Sequence, residues 1–367
     1  MIPINLPLIG EEEVNAVVEV MRKGPLTNAL GAGPVVTKFE EDYANFAGVK
    51  HAVAVNTGTA ALHSAMIAAG VKKGDEVILP SFTFVATAEA VVMAGGEPVF
   101  VDINPETYNI SLDEIQKNVT KKTKAIVPVD LYGFSADIEP IKKIATENDL
   151  TVVEDAAQAH GATYAGKPAG FFSDVACWSL YASKNITTGE GGVVTTDSDE
   201  IAETLRLIRT HGEKAKYASL TLGYNYRMSE IQAAIGIVQL EKLPNFVNKR
   251  RNNAQKLTEL LKASDKLKVP QESEERRHSW YLYTVRLRNR TEKERNTIVK
   301  ELKRKGISAE VYYINPVHLM PFYRESYGVR NLPETEKAAK QVFSLPIHPG
   351  VTETEIDYIG KTLISVL

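Results

Sequence analysis

Short apolar segments alternate with helical patterns between residues 50 and 200. Seven segments of three to six residues, rich in Val, Ile and Ala, predict buried strands. They lie at 51–55, 76–79, 98–103, 125–129, 151–153, 175–180 and 193–196. Amphipathic segments at 60–69, 86–94 and 138–147 separate the first five of them. This alternation predicts an α/β fold whose mainly parallel seven-stranded sheet is covered by helices on both faces.

The last third of the chain has a different pattern. A helix predicted over 229–243 should end at Pro244, because proline lacks the N–H that a helix interior needs. A charged amphipathic segment at 248–263 comes next, and then a strand, a helix, a strand and a terminal helix at 280–287, 294–305, 308–313 and 355–367. We therefore predict a large domain over 1–245 and a smaller C-terminal α/β domain over 246–367.

Composition and charge narrow the possible functions. The 367 residues are 44% hydrophobic and carry a formal charge of -3, which argues against nucleic acid as a partner. The basic cluster at 248–251 is more typical of a solvated helix face. No signal peptide or membrane-length apolar segment is visible, so we expect a cytoplasmic protein with no membrane contact. The single cysteine, Cys177, lies in an apolar segment and indicates a buried thiol, and we expect no metal site.

Four predicted strands are followed by residues with distinctive chemistry, and ligands of open α/β sheets bind at these carboxyl ends. After the strand at 51–55, Gly58 permits a tight turn, and Thr59 with the amides of the next helical turn can hold a phosphate. Ordinary helix capping explains the same residues equally well. After the strand at 76–79, an aromatic such as Phe84 can stack on a cofactor ring, although simple packing is the alternative.

Two acids, Glu154 and Asp155, follow the fifth predicted strand. A buried carboxylate needs a partner, and a protonated ring nitrogen would supply one. Such a pair keeps the ring charged and makes it an electron sink. Side chains alternate along a strand, so only one of the two acids can serve. Nearby His160 is either a proton relay or, more typically, a hydrogen-bonded structural histidine.

Lys184 follows the sixth predicted strand and has a glycine-rich turn behind it, at 189–192. A lysine acts as a base only after it loses its proton, which a partly desolvated site favours. Ser179, at the end of the same strand, can bind the same phosphate as Thr59. A solvated loop lysine is the commoner fate of a single lysine. Taken together, however, a phosphate site, an aromatic, an acid and a lysine at one sheet edge indicate a phosphorylated pyridine aldehyde.

Seven sequence blocks carry a resemblance to a known family over essentially the whole chain. They lie at 57–63, 74–78, 80–87, 154–161, 183–185, 189–192 and 223–228. With these blocks the sequence resembles the DegT/StrS-type sugar aminotransferases, which are pyridoxal-phosphate enzymes of the aspartate-aminotransferase fold. In related dehydratases a histidine replaces the lysine, so Lys184 favours amino transfer.

The resemblance implies a role for each candidate residue. Lys184 forms the Schiff base with pyridoxal 5′-phosphate, Asp155 pairs with the pyridinium nitrogen and Phe84 stacks on the ring. Gln158 lies near the phenolic oxygen, and the phosphate is held by Thr59, Ala60 and Ser179 beside the turn at Gly58. Asn225 reaches the phosphate of the neighbouring subunit. The last role implies a homodimer with shared active sites. Tyr181, Tyr313 and His318 fall where the family presents groups to the sugar, although aromatic packing explains them equally well.

The implied reaction is a ping-pong transfer of an amino group, with glutamate as donor and a nucleotide-linked keto-sugar as acceptor. Two departures concern the fine specificity: Asp130 and Ser219 stand where relatives often carry histidine. One alternative is an aminotransferase of the same fold that acts on a cyclitol or another cyclic ketone. Another is a non-catalytic regulatory protein, for which the basic cluster at 248–251 is the only local support.

Overall fold

The computed structural model describes residues 1–367 and contains twelve α-helices and fifteen strands. No helix among the twelve combines the length and the apolar character needed to cross a membrane. The helices are α1 Glu11–Lys23, α2 Pro34–Ala47, α3 Gly58–Ala68, α4 Ala86–Met93, α5 Leu112–Asn118, α6 Ile138–Glu147, α7 Asp199–Arg209, α8 Glu230–Leu261, α9 Glu292–Arg304, α10 Pro321–Tyr327, α11 Pro333–Gln341 and α12 Glu353–Val366. The strands are β1 His51–Val55, β2 Glu76–Pro80, β3 Glu97–Val101, β4 Thr123–Ile126, β5 Thr151–Asp155, β6 Thr163–Tyr164, β7 Lys167–Pro168, β8 Val175–Ser179, β9 Gly192–Thr196, β10 Glu213–Ala215, β11 Ala218–Ser219, β12 Leu267–Lys268, β13 Arg276–Arg277, β14 Tyr283–Leu287 and β15 Val342–Leu345.

The central sheet has seven strands in the order β1-β9-β8-β5-β4-β2-β3. Strands β8, β5, β4, β2 and β3 pair in parallel, and β9 is antiparallel to both of its neighbours. These seven strands are the seven that the apolar pattern predicts, so the mainly parallel α/β sheet is confirmed. The sequence placed their ends within three residues of the observed ones.

Alternate residues of these strands enter different apolar cores. On one face, Val53, Val153 and Cys177 pack with α3 and α4. On the other face, Ala54 and Trp178 pack with α2 and the first half of α8, while α5 and α6 cover the end of the sheet formed by β4, β2 and β3. Both faces are therefore buried, which is why the strands are apolar throughout. Cys177 is a free buried thiol, as the sequence indicates.

The prediction that a helix ends at Pro244 is wrong, because α8 runs without interruption from Glu230 to Leu261. Pro244 is exposed on the solvent side of α8. Leu243 and Phe246 are buried in the core shared with α2, and Leu257 is buried in the C-terminal core. Apolar burial on both sides of the proline outweighs the single backbone hydrogen bond that it removes.

The basic cluster at 248–251 lies on α8, and its burial differs from the prediction. Arg250 is buried at 2% exposure, and its Nη1 donates to the carbonyl oxygens of Trp280 at 3.3 Å and Tyr281 at 3.1 Å. Arg251 pairs with Glu272 at 2.6 Å. The interpretation of this cluster as a solvated face is therefore wrong for Arg250, because two backbone carbonyls of another segment provide its partners.

The C-terminal layer consists of the sheet β12-β14-β15 with α9, α12 and the end of α8 around one apolar core. The strand predicted over 308–313 is wrong. Only Glu310 forms a bridge there, with Ser344, because the chain leaves the edge of β15 and turns Tyr312 and Tyr313 towards the central sheet. The strand β14 and the helices α9 and α12 lie where the sequence predicts them. Helix α8 runs across residue 245, where the sequence places the domain boundary. The division into these two domains stays a prediction.

A strap formed by residues 2–8 joins the two layers. Ile2 lies parallel to Ile307: its N–H donates to Gly306 O at 2.7 Å, and its carbonyl accepts from Ser308 N at 2.9 Å. At the other end of the strap, Leu8 O accepts a hydrogen bond of 2.9 Å from Nε2 of Gln239 on α8. The strap therefore fixes the C-terminal layer against the helix that covers the central sheet.

Candidate active site

One cavity of about 450 Å³ lies at the carboxyl ends of β1, β2, β5 and β8. Such an edge is where ligands of open α/β sheets bind, and the volume suits a small organic molecule. The C-terminal layer closes the opposite wall with tyrosines. The lining residues are Thr57, Gly58, Thr59, Leu62, Thr83, Phe84, Ala86, Thr87, Asp155, Ala157, Gln158, Ser179, Tyr181, Ser183, Lys184, Glu190, Tyr281, Tyr312 and Tyr313.

The structure brings nine of the predicted cofactor and substrate residues to this cavity: Gly58, Thr59, Phe84, Asp155, Gln158, Ser179, Tyr181, Lys184 and Tyr313. It does not bring Ala60, Asn225 or His318 there. Ala60 is buried directly behind the wall, and its amide donates to Oγ1 of Thr57 at 3.0 Å. Asn225 pairs with Thr210 outside the cavity, and its carbonyl accepts from Nδ2 of Asn56 at 3.2 Å.

His318 lies away from the cavity and is fully buried. Its Nδ1 is 2.6 Å from Oγ of Ser81, and its own backbone amide donates to the same oxygen at 3.0 Å. These contacts attach the segment that follows Tyr313 to the end of β2. The structure therefore leaves His318 buried and outside the residues that line the cavity.

One end of the cavity is formed by the N-terminus of α3. Thr57 caps this helix, and Thr59 and Ser179, which carry hydroxyl groups, line the cavity at this end. A Cβ at Gly58 would lie 2.7 Å from Cβ of Ser179, so the close approach of α3 to the end of β8 requires glycine. Free amides at a helix N-terminus attract anions, and this end of the cavity therefore fits a phosphate group.

The acid in the cavity is Asp155, at the end of β5. Its Oδ2 accepts from Oγ1 of Thr87 at 2.8 Å, and its Oδ1 accepts from the amide of Ala157 at 3.2 Å. Burial raises the pKa of this carboxyl above its ordinary value, while the two hydrogen bonds and the charge of Lys184 oppose the rise. A cation placed in the cavity would complete the partners of Asp155, and a protonated pyridine nitrogen meets this requirement.

Glu154 points to the opposite face of the sheet. Its Oε1 accepts from the amide of Gly170 at 2.9 Å, and burial raises its pKa. It faces the equally buried Asp130, whose Oδ1 accepts from the amide of Ala136 at 2.8 Å and whose pKa burial also raises. Only Asp155 of the two neighbouring acids therefore reaches the cavity, as the alternation of side chains along a strand requires.

Lys184 lies in a tight turn after β8. Its backbone amide donates to the carbonyl of Tyr181 at 2.9 Å. Nδ2 of the next residue, Asn185, donates to the carbonyls of His160 at 3.1 Å and Ser279 at 3.0 Å. These hydrogen bonds fix the turn on two sides, so the backbone of Lys184 has a defined position.

Gln158 and two aromatic residues form the wall beside Asp155. Oε1 of Gln158 accepts from the amide of Tyr132 at 2.7 Å, and its Nε2 donates to the hydroxyl of Tyr313 at 3.0 Å. Phe84 is 55% exposed, with its ring centroid 6.2 Å from that of Tyr313. An apolar ring that is left open to the cavity can stack on a flat ligand.

Ten of the nineteen lining residues have no role in the sequence-based prediction, and the side chains of two of them contact Asp155 or Lys184. Thr87 lies one helical turn after Thr83, and this spacing of two threonines at the start of a helix is the only signal for it. Tyr281 comes from the C-terminal third of the chain, and no local pattern connects it to Lys184. His160 does not line the cavity: it packs against Trp178 at 5.1 Å between ring centroids, and burial and the charge of Lys184 lower its pKa to about 3.

Comparison with known proteins gives matches over nearly the whole chain. The model of the DegT/DnrJ/EryC1/StrS aminotransferase family matches residues 7–364. The GDP-perosamine synthase of Caulobacter vibrioides is 38% identical over 372 residues, which cover 100% of this chain and 98% of that protein. A protein of Geobacillus stearothermophilus named pleiotropic regulatory protein is 43% identical over 349 residues, which cover 94% of this chain and 91% of the relative.

A solved structure extends the comparison to the fold. It is the PLP form of a Streptococcus pneumoniae protein described as a sugar aminotransferase, at 29% identity and a TM-score of 0.94. The match covers 100% of this chain and 98% of that one, so the central sheet, the cavity and the C-terminal layer all lie within the shared architecture.

Proposed function

The chain belongs to the DegT/DnrJ/EryC1/StrS family of pyridoxal-phosphate-dependent sugar aminotransferases, and from this premise we propose that it transfers an amino group from glutamate to a nucleotide-linked keto-sugar. The observation that carries the proposal is that Lys184 and Asp155 line one cavity whose far end is the N-terminus of α3. A lysine, a buried carboxylate and an anion site are the three groups that a phosphorylated pyridine aldehyde requires.

Each group of the cofactor has a candidate partner. Lys184 would hold its aldehyde carbon covalently, Asp155 would keep its ring nitrogen protonated, and Thr59 with Ser179 would bind its phosphate. The bound cofactor supplies the electron sink that lets a substrate carbon lose a proton. Phe84 offers a ring face to it, and Ala60 would contribute only its position in the first turn of α3, because its own amide is used by Thr57.

Lys184 carries the proton. With the amino donor bound, the neutral amine of Lys184 would take a proton from the substrate carbon and would deliver it to the second carbon that the cofactor presents. The lysine must reach both carbons from one position, and the hydrogen bonds that fix its turn provide this. The hydrogen bond from Thr87 opposes the rise that burial causes in the pKa of Asp155, and the ionised carboxylate would maintain the positive charge on the ring nitrogen.

The acceptor would lie against the tyrosines at the cavity mouth. Tyr181 is 49% exposed there, and Tyr313 presents a half-buried ring. Aromatic faces with hydroxyl groups suit a sugar ring, since they offer both stacking and hydrogen bonds. The nucleotide link is supported by the GDP-perosamine synthase, whose 98% coverage leaves no large part of that enzyme unmatched. Glutamate as donor rests on the family resemblance.

The protein would act as a homodimer. Asn225 lies outside the cavity of its own chain, and the hairpin β10–β11 next to it exposes Tyr217, Leu220 and Leu222. An exposed apolar group of this kind is typical of a protein interface. In a dimer the segment of Asn225 would reach the phosphate end of the partner's cavity. The cytoplasmic location stays a prediction.

The experiment is an assay of the purified protein with pyridoxal phosphate, glutamate and a panel of 3-keto and 4-keto nucleotide sugars. We expect an amino sugar from at least one of them. Borohydride should fix the cofactor on the peptide that contains Lys184, and Lys184→Ala should lose both the label and the turnover. Turnover of free cyclitol ketones alone would support the alternative substrate class and reject the nucleotide-sugar proposal.

A regulatory protein of the same fold is the second candidate, and the name of the Geobacillus relative is the observation that favours it. The structure gives this candidate little support, because Arg250 is buried and does not form a basic surface with Lys249. A colourless purified protein that binds DNA in a gel-shift assay and releases no 2-oxoglutarate from glutamate would establish it and reject the aminotransferase proposal.

A further inference from the structure

Tyr281 is held in place at several points, although it comes from a segment far from the catalytic turn in sequence. Its carbonyl accepts from the buried Arg250 at 3.1 Å, and the next amide, of Leu282, donates to Tyr132 O at 3.2 Å. Its hydroxyl lies 3.0 Å from Oγ of Ser183. Only 5% of the residue is exposed, and that surface faces the cavity. The ring therefore has one orientation.

The same ring faces the reactive end of Lys184. Nζ of Lys184 lies 4.7 Å from the centroid of the Tyr281 ring, within the range of a cation–π contact. The hydroxyl of Tyr281 contacts Ser183, the residue immediately before the lysine, and Ser279 O holds Asn185, the residue immediately after it. The segment 279–281 thus contacts the residues on both sides of Lys184 and the lysine side chain itself.

We propose that Tyr281 is a positioning residue for Lys184, a role that rests on the proposed function of that lysine. When the neutral amine takes a proton from the substrate carbon it becomes an ammonium group, and it is neutral again after it gives this proton to the ring-side carbon. The electron-rich face of Tyr281 stabilises the ammonium between the two transfers and keeps Nζ in one place. The charged group Asp155 and the titratable groups His160, Tyr313 and Tyr312 lie around the same lysine, and each keeps its own side chain in a variant at 281.

The test compares Tyr281→Phe, which keeps the ring, with Tyr281→Leu, which removes it, in the holoenzyme. Stopped-flow absorbance would follow the conversion of the bound cofactor by glutamate in a single turnover. We expect Tyr281→Leu to lower the maximal rate about five- to thirtyfold, the factor that corresponds to one cation–π contact, with little change in the glutamate concentration at half-maximal rate. Tyr281→Phe keeps the ring face and loses only the contact of the hydroxyl with Ser183, so its maximal rate should fall much less.

A second readout is independent of turnover. The visible circular-dichroism band of the bound cofactor reports how the lysine-linked ring is held, and it should change in Tyr281→Leu and persist in Tyr281→Phe. The matched control is Tyr283→Phe, which removes a buried hydroxyl 2.8 Å from Thr258 without any contact to Lys184 and should leave both readouts unchanged. Thermal unfolding of each variant checks that it is folded.

The outcomes separate the two proposals. Unchanged rate and dichroism in Tyr281→Leu, with borohydride label still on Lys184, would reject the role of Tyr281 alone. A change confined to the half-saturating glutamate concentration would also reject it, because the ring would then contact the donor and not the lysine. Label on a different lysine would overturn the role of Lys184 and that of Tyr281 with it.

Discussion

Thr87 donates a hydrogen bond of 2.8 Å to the carboxylate of Asp155, and it receives support from Thr83, whose hydroxyl lies 2.9 Å from its own. The first turn of α4 therefore helps to keep an acid ionised at the end of β5. Without this bond, only the amide of Ala157 would remain as a hydrogen-bond donor to the carboxylate.

Thr87→Val removes the hydroxyl and keeps the shape of the side chain. A hydrogen bond to a charged group contributes roughly 1.5–3 kcal/mol, so its loss raises the pKa of Asp155 further above the ordinary value. The carboxylate then takes up its proton at higher pH, and the acid limb of the pH profile of the glutamate half-reaction should move upward. Stopped-flow rates across the pH range measure it. Thr87→Ser keeps the donor and should retain the original limb; the same shift in both variants would contradict this explanation.

Gly58→Ala should weaken cofactor binding. The new Cβ would approach Cβ of Ser179 to 2.7 Å and force α3 away from the end of β8, which disturbs the amides that face the phosphate. Overpacking of this kind costs about 1–3 kcal/mol, so we expect roughly tenfold weaker binding or more. Titration of the apoprotein with pyridoxal phosphate measures the affinity. Gly24→Ala is the control, since its Cβ would meet its nearest neighbour only at 3.4 Å, and equal affinities of the two variants would disprove the steric argument.

Pro244→Ala should stabilise the protein. The alanine N–H can restore the missing bond to the carbonyl of Leu240 without disturbing the core, because residue 244 is exposed. We expect the free energy of unfolding to rise by about 1–3 kcal/mol in a denaturant titration. Asn245→Ala, at the next exposed position, gains only helix propensity and should change it by less than about 0.7 kcal/mol. A loss of stability in Pro244→Ala would mean that the proline ring makes a contact that alanine cannot replace.

The buried imidazole of His160 makes the fold sensitive to acid. Burial, together with the nearby charge of Lys184, lowers its pKa from 6.5 to about 3, so between these values the unfolded chain binds a proton that the folded chain does not. The contribution of His160 to the free energy of unfolding is then at its full value above pH 6.5 and falls as the pH drops towards 3. Between about pH 7.5 and pH 5 the loss is about 2 kcal/mol by linkage.

The variant His160→Phe, which keeps a ring beside Trp178, should lose that part of the acid sensitivity. The measurement is the free energy of unfolding at both pH values in the two proteins. His211→Asn, at an exposed histidine, serves as the control and should retain the full difference. An equal loss of stability in His160→Phe and the unmodified protein would show that His160 is not the group responsible.

The amino-acid pattern predicts the central sheet well because each strand is buried on both faces and is therefore apolar by itself. The candidate residues follow from that: once β5 and β8 are placed, Asp155 and Lys184 must lie at the same sheet edge. Prediction from the local sequence pattern fails where contacts with a segment distant in sequence determine the structure. Pro244 stays helical because of cores on either side of it, and Arg250 is buried because carbonyls of another segment accept its hydrogen bonds.

Contacts between segments distant in sequence also explain the site residues that the sequence missed or that lie outside the cavity. Tyr281 reaches Lys184 only because Arg250 and Ser183 hold its segment there, which no spacing in the sequence reveals. His318 has the residue type of a substrate contact, yet its ring is used by Ser81 and does not line the cavity. Asn225 lies outside its own cavity, and a role for it depends on a second chain.

The strap that pairs Ile2 with Ile307 has a consequence for the order of synthesis. Ile2 is synthesised before the backbone groups of Gly306 and Ser308 that bind it, which follow about 300 residues later in the chain. All seven strands of the central sheet are made well before that point. A nascent chain that stops short of Gly306 would therefore contain every strand of the sheet and still lack the backbone partners of Ile2.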